Sequence, residues 1–179
     1  AHACFNIDGT LRSWGEQGDG PGLRILSILE IWNQLSEEAK STARKILVRD
    51  RQYIIDHYDD DTDNAWEEIT GKSFFSRTAQ RQAIDKLEKA SAQTAIAQEK
   101  KIPEIIQNLN TLLEEHWASD LGHYRSILNG KAKNGALRGH ELNIDIVFAC
   151  TYNGLPCFDE RMLATVAKLR DKFEKLYPI

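Results

Sequence analysis

Two adjacent glutamates beside a tryptophan, in the run Trp66-Glu67-Glu68, are the residues of this 179-residue chain best suited to acid–base chemistry. A carboxyl group buried against an aromatic ring can keep its proton near neutral pH, because burial disfavours the charged form. Such an acid can protonate a glycosidic oxygen, and the indole can stack on a sugar ring. Alternatively, Trp66 belongs to the core and the glutamates lie in the solvated first turn of a helix, where negative charge suits the helix dipole. On these three residues alone the second interpretation is favoured, since charged side chains are mostly exposed.

The composition narrows the class of protein and of partner. Hydrophobic residues at 41% and charged residues at 28% predict one soluble globular domain. The net charge of -4 gives no general attraction to nucleic acids or acidic membranes, and no apolar run is long enough to cross a bilayer. We therefore expect neither a nucleic acid nor a membrane as a partner. The chain begins at Ala1 without a signal peptide, which suggests numbering that starts after processing or inside a longer protein.

The acidic loop before Trp66 has the beginning of a calcium-binding pattern. Asp59, Asp61 and Asp63 alternate as the early ligands of a calcium loop do. The pattern then fails, because Asn64 replaces the usual glycine and Thr70 stands where a bidentate glutamate is needed. A solvated acidic turn is the better interpretation. The five histidines lack the spacing of zinc ligands, so we predict no metal and no cofactor.

Two of the three cysteines are close in sequence. Cys150 and Cys157 flank a turn-rich segment and could form a disulfide, which would leave Cys4 over. This count does not decide the redox compartment.

Hydrophobic periodicity predicts an all-α fold of four or five helices joined by long loops. The predicted helices begin near Pro21, Ser36, Ser73, Pro103 and Asp159, and they extend to about Leu35, His57, Ala97, Trp117 and Tyr177. Residues 123–128 are a short extended candidate, and 144–149 fit a helix or a strand. Several loops are longer than usual connections, which often marks functional loops.

One of these loops carries a second tryptophan. Trp14 lies in a glycine-rich loop with Asp19. An aromatic side chain on such a loop suits stacking on a carbohydrate, but it could equally anchor the loop on the core.

Two stretches carry specific motifs in an order and at a separation that match a known family. Residues 5–10 read FNIDGT, 13–15 read SWG, 19–24 read DGPGLR, and 66–69 read WEEI, followed by Gly71 and by SFF at 73–75. They resemble the patterns FNVDxT, SWGRPQRDGPALR and WEEVxGxSFFT of the glucoamylases of glycoside hydrolase family 15. A weaker similarity at 139–143, reading GHELN, and the helix at 159–177 extend the resemblance to nearly the whole chain.

The resemblance implies a fold, a reaction and a set of site residues. The family fold is an (α/α)6 toroid with long loops, and its enzymes release glucose from the non-reducing ends of starch-like α-glucans with inversion. The expected partner is therefore an α-glucan or a maltooligosaccharide, and the expected location is extracellular. By resemblance, Glu67 is the general acid, Glu68 binds substrate, Trp14 and Trp66 contact substrate, and Asn64, Asp19 and Arg24 support the site.

The chain also departs from the family pattern. An inverting site needs a second carboxylate roughly 6.5–9.5 Å from the first. The family's catalytic base lies downstream of Ile179, and its arginine–aspartate pair for the terminal glucose lies upstream of Ala1. Asn64 stands where the family usually has aspartate, and 16–18 replaces the arginine–proline of the tryptophan loop with one residue fewer. We therefore expect residues 1–179 to be a single segment from the middle of a catalytic domain, completed by other segments or chains.

Other functions remain open at this point. The chain can be a catalytically inactive α-glucan-binding or helical scaffold module, or a helical interaction domain without affinity for sugar. The enzyme is favoured because both glutamates and both tryptophans of the family pattern are present together.

Overall fold

The computed structural model describes residues 6–10, 17–132, 137–138, 142–151 and 155–177, the pair 137–138 by its backbone. Trp14 and Cys4 lie outside these described residues. The helices in the described part are α1 (Asp19–Glu30), α2 (Glu37–His57), α3 (Phe74–Lys89), α4 (Ser91–Thr94), α5 (Ile102–Glu114), α6 (Asp145–Thr151) and α7 (Glu160–Leu176), with a 3-10 turn at Trp32–Gln34. No described helix has the length and apolar character needed to span a membrane.

Short strands form two antiparallel sheets. The strands are β1 (Thr62–Asp63), β2 (Ile69–Ser73), β3 (Trp117–Ala118), β4 (His123–Tyr124), β5 (Ile127–Ala132) and β6 (Leu137–Arg138). One sheet has the order β1-β2-β5-β6, and β3 pairs with β4 in the other. The prediction of an all-α fold was therefore wrong in this respect: the chain is mostly helical but carries a sheet beside α3.

The pairing of β2 with β5 explains why the sequence did not predict the sheet. Ile69 pairs with Ala132 and Ser73 with Ile127, so the partners are more than fifty residues apart in sequence. A Cβ atom added to Gly71 would lie 2.6 Å from the Leu128 carbonyl oxygen, so only glycine allows this approach. Glycine disfavours a helix in this region, and at Gly71 it permits the close pairing of two strands instead.

Local signals placed three helix starts correctly. Ser36 and Ser73 each accept a hydrogen bond on the side-chain oxygen from the backbone N–H three residues later, at 3.2 and 3.3 Å. Asp159 accepts two such bonds at the start of α7. These side chains satisfy N–H groups that have no partner within the helix, which fixes where each helix begins.

The helix predicted to reach Ala97 ends earlier. α3 stops at Lys89, and the short α4 that follows ends at Thr94, since Ala95 adopts a left-handed backbone conformation with φ of +57°. Two arginines of α2 bind the backbone there: Arg44 donates to the Thr94 carbonyl at 2.8 Å and Arg51 to the Ala97 carbonyl at 2.7 Å. Tertiary contacts with α2 thus override the helical tendency of the alanines.

The main hydrophobic core lies among α1, α2, α3 and α5. It includes Ile25, Leu47, Ile54, Ile84, Leu87, Ile102 and Leu109, all almost fully buried. α1 packs more extensively on α3 than on any other described element. A Cβ atom on Gly22 would lie 2.9 Å from the Ala79 backbone, so this glycine lets the two helices approach closely. The close packing fixes the start of α1 relative to α3.

A second, smaller core joins α3 to the last two helices, with Phe74, Ile146, Ala149 and Met162. The segment at 144–149, which fitted either a helix or a strand, forms α6. α7 buries Met162 and Leu169 but leaves Leu163, Val166 and Leu176 between 42% and 59% exposed. The apolar stripe of α7 is thus wider than the surface it covers here.

Candidate functional site

The two glutamates lie in the turn that joins β1 to β2, not in a helix. Asn64 organises this turn: its backbone oxygen accepts from the Glu67 N–H at 2.9 Å, and its side-chain oxygen accepts from the Glu68 N–H at 2.9 Å. The same side-chain oxygen accepts from the Ile69 N–H at 3.3 Å. Asn64 is only 2% exposed, so these bonds are shielded from water. The placement of the glutamates in a first helical turn is therefore excluded.

Glu67 has an unusual backbone. Its φ is +58°, in the left-handed region that glycine prefers. For a residue with a long side chain this conformation costs about 1–3 kcal/mol, and it persists only where surrounding contacts impose it. Its carboxylate is half-buried and accepts a hydrogen bond on Oε1 from the side-chain amide of Gln17. The loop thus presents one glutamate in a defined direction.

Gln17 is itself held by the residue that follows it. The Gly18 N–H donates to Thr62 Oγ1 at 2.6 Å, and the Gln80 amide donates to the Gly18 oxygen at 2.8 Å. Thr62 belongs to β1 and Gln80 to α3, and both are buried. The segment before α1 is therefore attached to β1, which leads into the glutamate turn, and to α3.

Asp19 brings a second carboxyl group to this place, in the first turn of α1. Burial raises the pKa of Asp19 above its usual value, and the charge of Glu67 raises it further. Both effects disfavour an additional negative charge in a site that already holds one. Asp19 and Glu67 therefore form an electrostatically coupled pair.

Trp66 presents part of its ring to the outside. The side chain is 46% exposed, its indole N–H donates to Asn143 Oδ1 at 2.9 Å, and its ring lies 6.4 Å from that of Phe148. The ring is thus oriented by two residues of a distant segment while one side remains accessible. This arrangement suits stacking on a flat apolar face such as that of a sugar.

The other predicted site residues are distributed differently. Glu68 is exposed and follows Glu67 in the same turn. Arg24 forms a two-bond ion pair with the buried Asp50, at 2.6 and 2.7 Å, so it joins α1 to α2. This bond raises the pKa of Arg24. Trp14 lies outside the described residues. The structure thus brings together Asn64, Glu67, Trp66 and Asp19.

Several residues of the site escaped the sequence analysis. They are Gln17, Thr62, Gln80, Asn143 and Phe148. Asn143 was noted only as part of the weak similarity at 139–143, and no local signal gave the contact of any of the five, because each acts through a residue at least 44 positions away.

The acidic loop before the turn is neutralised by cations. Lys72 lies 3.5 Å from Asp59 and 3.2 Å from Asp61, and Arg77 lies 2.8 Å from Asp59. The Thr70 hydroxyl donates to Asp63 at 2.5 Å. Within the described ranges no group of three carboxylate, histidine or cysteine side chains is arranged to hold a metal ion. The loop therefore serves to join β1 to β2 and α3.

Arg77 connects this loop to a buried histidine. His116 is fully buried, and its Nε2 accepts from Arg77 at 3.1 Å while its Nδ1 donates to the Arg125 carbonyl at 2.8 Å. Burial, assisted by the charge of Arg77, lowers the pKa of His116 to about 3. His116 is thus neutral at ordinary pH and acts as a packing and hydrogen-bonding group.

The two cysteines near α6 are both free thiols. The two thiols are within hydrogen-bonding distance of each other. Burial, together with this hydrogen bond to Cys157, raises the pKa of Cys150 to about 12. The proposed pairing is therefore geometrically close, although the bond is not formed.

Two cavities in the described part of the chain are lined by residues outside the glutamate turn. A cavity of about 570 Å³ between α3 and α5 is lined by residues such as Glu88, Ile102 and Ile106, and one of about 340 Å³ by Phe74, Asn110 and Tyr124. Neither includes a residue of the glutamate turn.

Comparison with known proteins identifies the family. The model of the family described as Glycosyl hydrolases family 15 matches residues 5–179 of this chain. A protein of Schizosaccharomyces pombe named "Probable glucoamylase" is 26% identical over 184 residues, covering 98% of this chain and 39% of that protein. A Saccharomyces cerevisiae protein named "Glucoamylase, intracellular sporulation-specific" is 33% identical over 97 residues, covering 46% of this chain and 18% of that protein.

A solved structure shows the same fold. The glucoamylase of Hormoconis resinae superposes with a TM-score of 0.74 at 23% identity, covering 98% of this chain and 31% of that one. The chain thus spans about a third of the proteins that it matches over its whole length. With a family match over nearly all of its residues, the chain belongs to glycosyl hydrolases family 15.

Proposed function

We propose that this chain is a segment of a glucoamylase-like enzyme that releases glucose from the non-reducing ends of starch-like α-glucans with inversion, and that Glu67 is its general acid. The conformation of Glu67 carries the proposal: a half-buried residue on a strained turn that three hydrogen bonds tie to Asn64, beside an accessible indole. Strain of this kind is concentrated at functional sites. The names of the relatives, which are glucoamylases, support the reaction class.

In this mechanism Glu67 donates its proton to the glycosidic oxygen as the bond to the anomeric carbon breaks. Water, activated by a second carboxylate, attacks the opposite face of the sugar. Glu68, Trp66 and Trp14 bind the sugar, while Asn64, Asp19 and Arg24 support the site. The second carboxylate comes from other segments of the enzyme, which complete an (α/α)6 toroid around this one. An extracellular location stays a prediction from the resemblance, since one relative is named intracellular.

The test uses the full-length protein with Glu67→Gln. Glucose release from maltooligosaccharides falls by about 10²–10⁴-fold, because an amide cannot donate the proton. An α-glucosyl fluoride substrate keeps most of its turnover, since fluoride leaves without protonation. The matched control is Glu38→Gln, an exposed glutamate at the start of α2, which leaves both rates unchanged. Equal loss with both substrates would contradict the role of Glu67 as an acid.

The anomeric form of the product tests the stereochemistry. Proton NMR during the first minutes of reaction shows β-glucose released from an α-glucan. Binding of maltooligosaccharide that quenches tryptophan fluorescence, without any glucose release by the full-length wild-type protein, would instead support an inactive α-glucan-binding or scaffold module.

A further inference from the structure

Gln17 is the one described residue whose side chain reaches the carboxylate of Glu67. We propose that Gln17 is a positioning residue: its amide holds Oε1 of Glu67, so that Oε2 is directed at the glycosidic oxygen. The inference rests on the proposed function of Glu67. It adds a residue from the segment before α1, fifty positions away in sequence, to the acid's machinery.

The acid's end of this contact is fixed. The backbone of Glu67 is held by the bond from its N–H to the Asn64 oxygen, and the next N–H is held by the Asn64 side chain. With φ at +58°, the side chain leaves the turn in a direction that ordinary extended or helical backbone does not give. Its carboxylate therefore meets the Gln17 amide because the turn aims it there.

The amide's end is fixed as well. Both backbone polar groups of Gly18 are bound, to Thr62 at 2.6 Å and to Gln80 at 2.8 Å. Thr62 is 6% exposed and Gln80 is 3% exposed, so neither anchor competes freely with water. A Cβ atom on Gly18 would lie 3.2–3.3 Å from both side chains, which leaves little room for any other residue. The segment before α1 is thus held on β1 and α3, and its Gln17 amide reaches the carboxylate of the turn that follows β1.

The chemistry of the partner suits an acid that must give up and regain a proton. An amide N–H stabilises the carboxylate less than a lysine or arginine would, because it carries no charge. Among the described residues no lysine or arginine forms an ion pair with Glu67. Asp19, from the first turn of α1, interacts electrostatically with Glu67, and Glu68 follows it in the chain. Gln17 therefore orients the Glu67 carboxylate through a hydrogen bond from an uncharged group.

The experiment compares Gln17→Leu with the wild type in the full-length protein. Leucine preserves the approximate volume but removes the donor. We expect kcat to fall by about 10- to 100-fold, the loss typical of a displaced reacting group, with KM little changed. The alkaline limb of the pH–rate profile moves to higher pH, because an N–H donor favours the charged form of a carboxyl group. Gln17→Glu moves that limb further, since it adds a negative charge.

Gln93→Leu is the matched control, because its amide also donates to a side chain, Asn33 at 3.1 Å, but at an exposed place. It leaves kcat and the pH profile unchanged. An unchanged alkaline limb in Gln17→Leu, whether or not thermal stability falls, overturns the positioning role. If Glu67→Gln is inactive while Gln17→Leu is normal, this inference alone fails. If Glu67→Gln stays active, the proposed function fails and this inference with it.

Discussion

Two neighbouring loops carry carboxylates whose partners differ in charge. In residues 59–61 the carboxylates lie against Lys72 and Arg77, and the interaction joins β1, β2 and α3. In residues 64–68 the carboxylate of Glu67 meets a neutral amide on a strained turn. The carboxylates of the first loop join elements of the fold through ion pairs, whereas Glu67 is the residue that we propose as the proton donor. The identity of the partner, rather than the density of acidic residues, distinguishes the two uses.

The largest effect on the free energy of unfolding is expected from Arg77→Met, which changes the partner of the acidic loop. Arg77 is 3% exposed and binds Asp59, His116 and the Leu112 carbonyl, so its removal leaves the buried His116 Nε2 and the partly buried Leu112 carbonyl without this donor. The free energy of unfolding of the full-length protein falls by about 2–4 kcal/mol, since each unsatisfied acceptor costs about 1–3 kcal/mol. Urea denaturation measures the loss. Arg49→Met, at a largely exposed arginine, is the control and changes it by less than about 0.5 kcal/mol. A loss below about 1 kcal/mol for Arg77→Met would mean that the cation does not hold the loop.

His116, the buried partner of Arg77, makes the free energy of unfolding depend on pH. Because the folded-state pKa of about 3 lies below the unfolded value of 6.5, the unfolded state binds the proton more readily. The contribution is fully present above about pH 6.5 and is lost as the pH falls toward 3, by up to about 1.4 kcal/mol per pH unit. Denaturation at several pH values should show a shallower slope for His116→Gln than for the wild type. Equal slopes would show that another group dominates.

Asn64→Ala tests the other loop. It removes the acceptor of the Glu68 and Ile69 N–H groups, so the free energy of unfolding falls by about 1–3 kcal/mol. Unlike Arg77→Met, it also lowers kcat for glucose release at temperatures where the protein is fully folded, because Glu67 loses its fixed direction. Asn33→Ala, at an exposed asparagine, is the control for both measurements. Normal kcat in folded Asn64→Ala would remove the distinction between the loops.

The smallest effect is expected from Asp61→Asn. Its ion pair with Lys72, at 3.2 Å, is partly exposed, so the change in free energy of unfolding is below about 1 kcal/mol and becomes smaller at high salt. Glucose release is unchanged. A loss of glucose release approaching that of Glu67→Gln would assign the acidic loop a direct role in the reaction.

The sequence predicts what depends on near neighbours. The helix starts at Ser36, Ser73 and Asp159 follow from caps that act over two or three residues. The tryptophan and the two glutamates were recognisable because they are adjacent. Their surroundings were not, because the Gln17 amide and the β5 strand reach the turn from fifty or more residues away. The same distance hid the sheet, whose glycines look like loop residues until the partner strand is known.

The hydrogen bond between Trp66 and Asn143 gives the site a built-in optical reporter. It connects segments 77 positions apart, and the indole that makes it is already partly in contact with water. If the segment that carries Asn143 detaches while the helical core stays folded, this indole gains solvent and its emission moves to longer wavelength. A red shift that precedes the loss of helical circular dichroism on heating would therefore mark opening of the site as a separate, earlier event than unfolding.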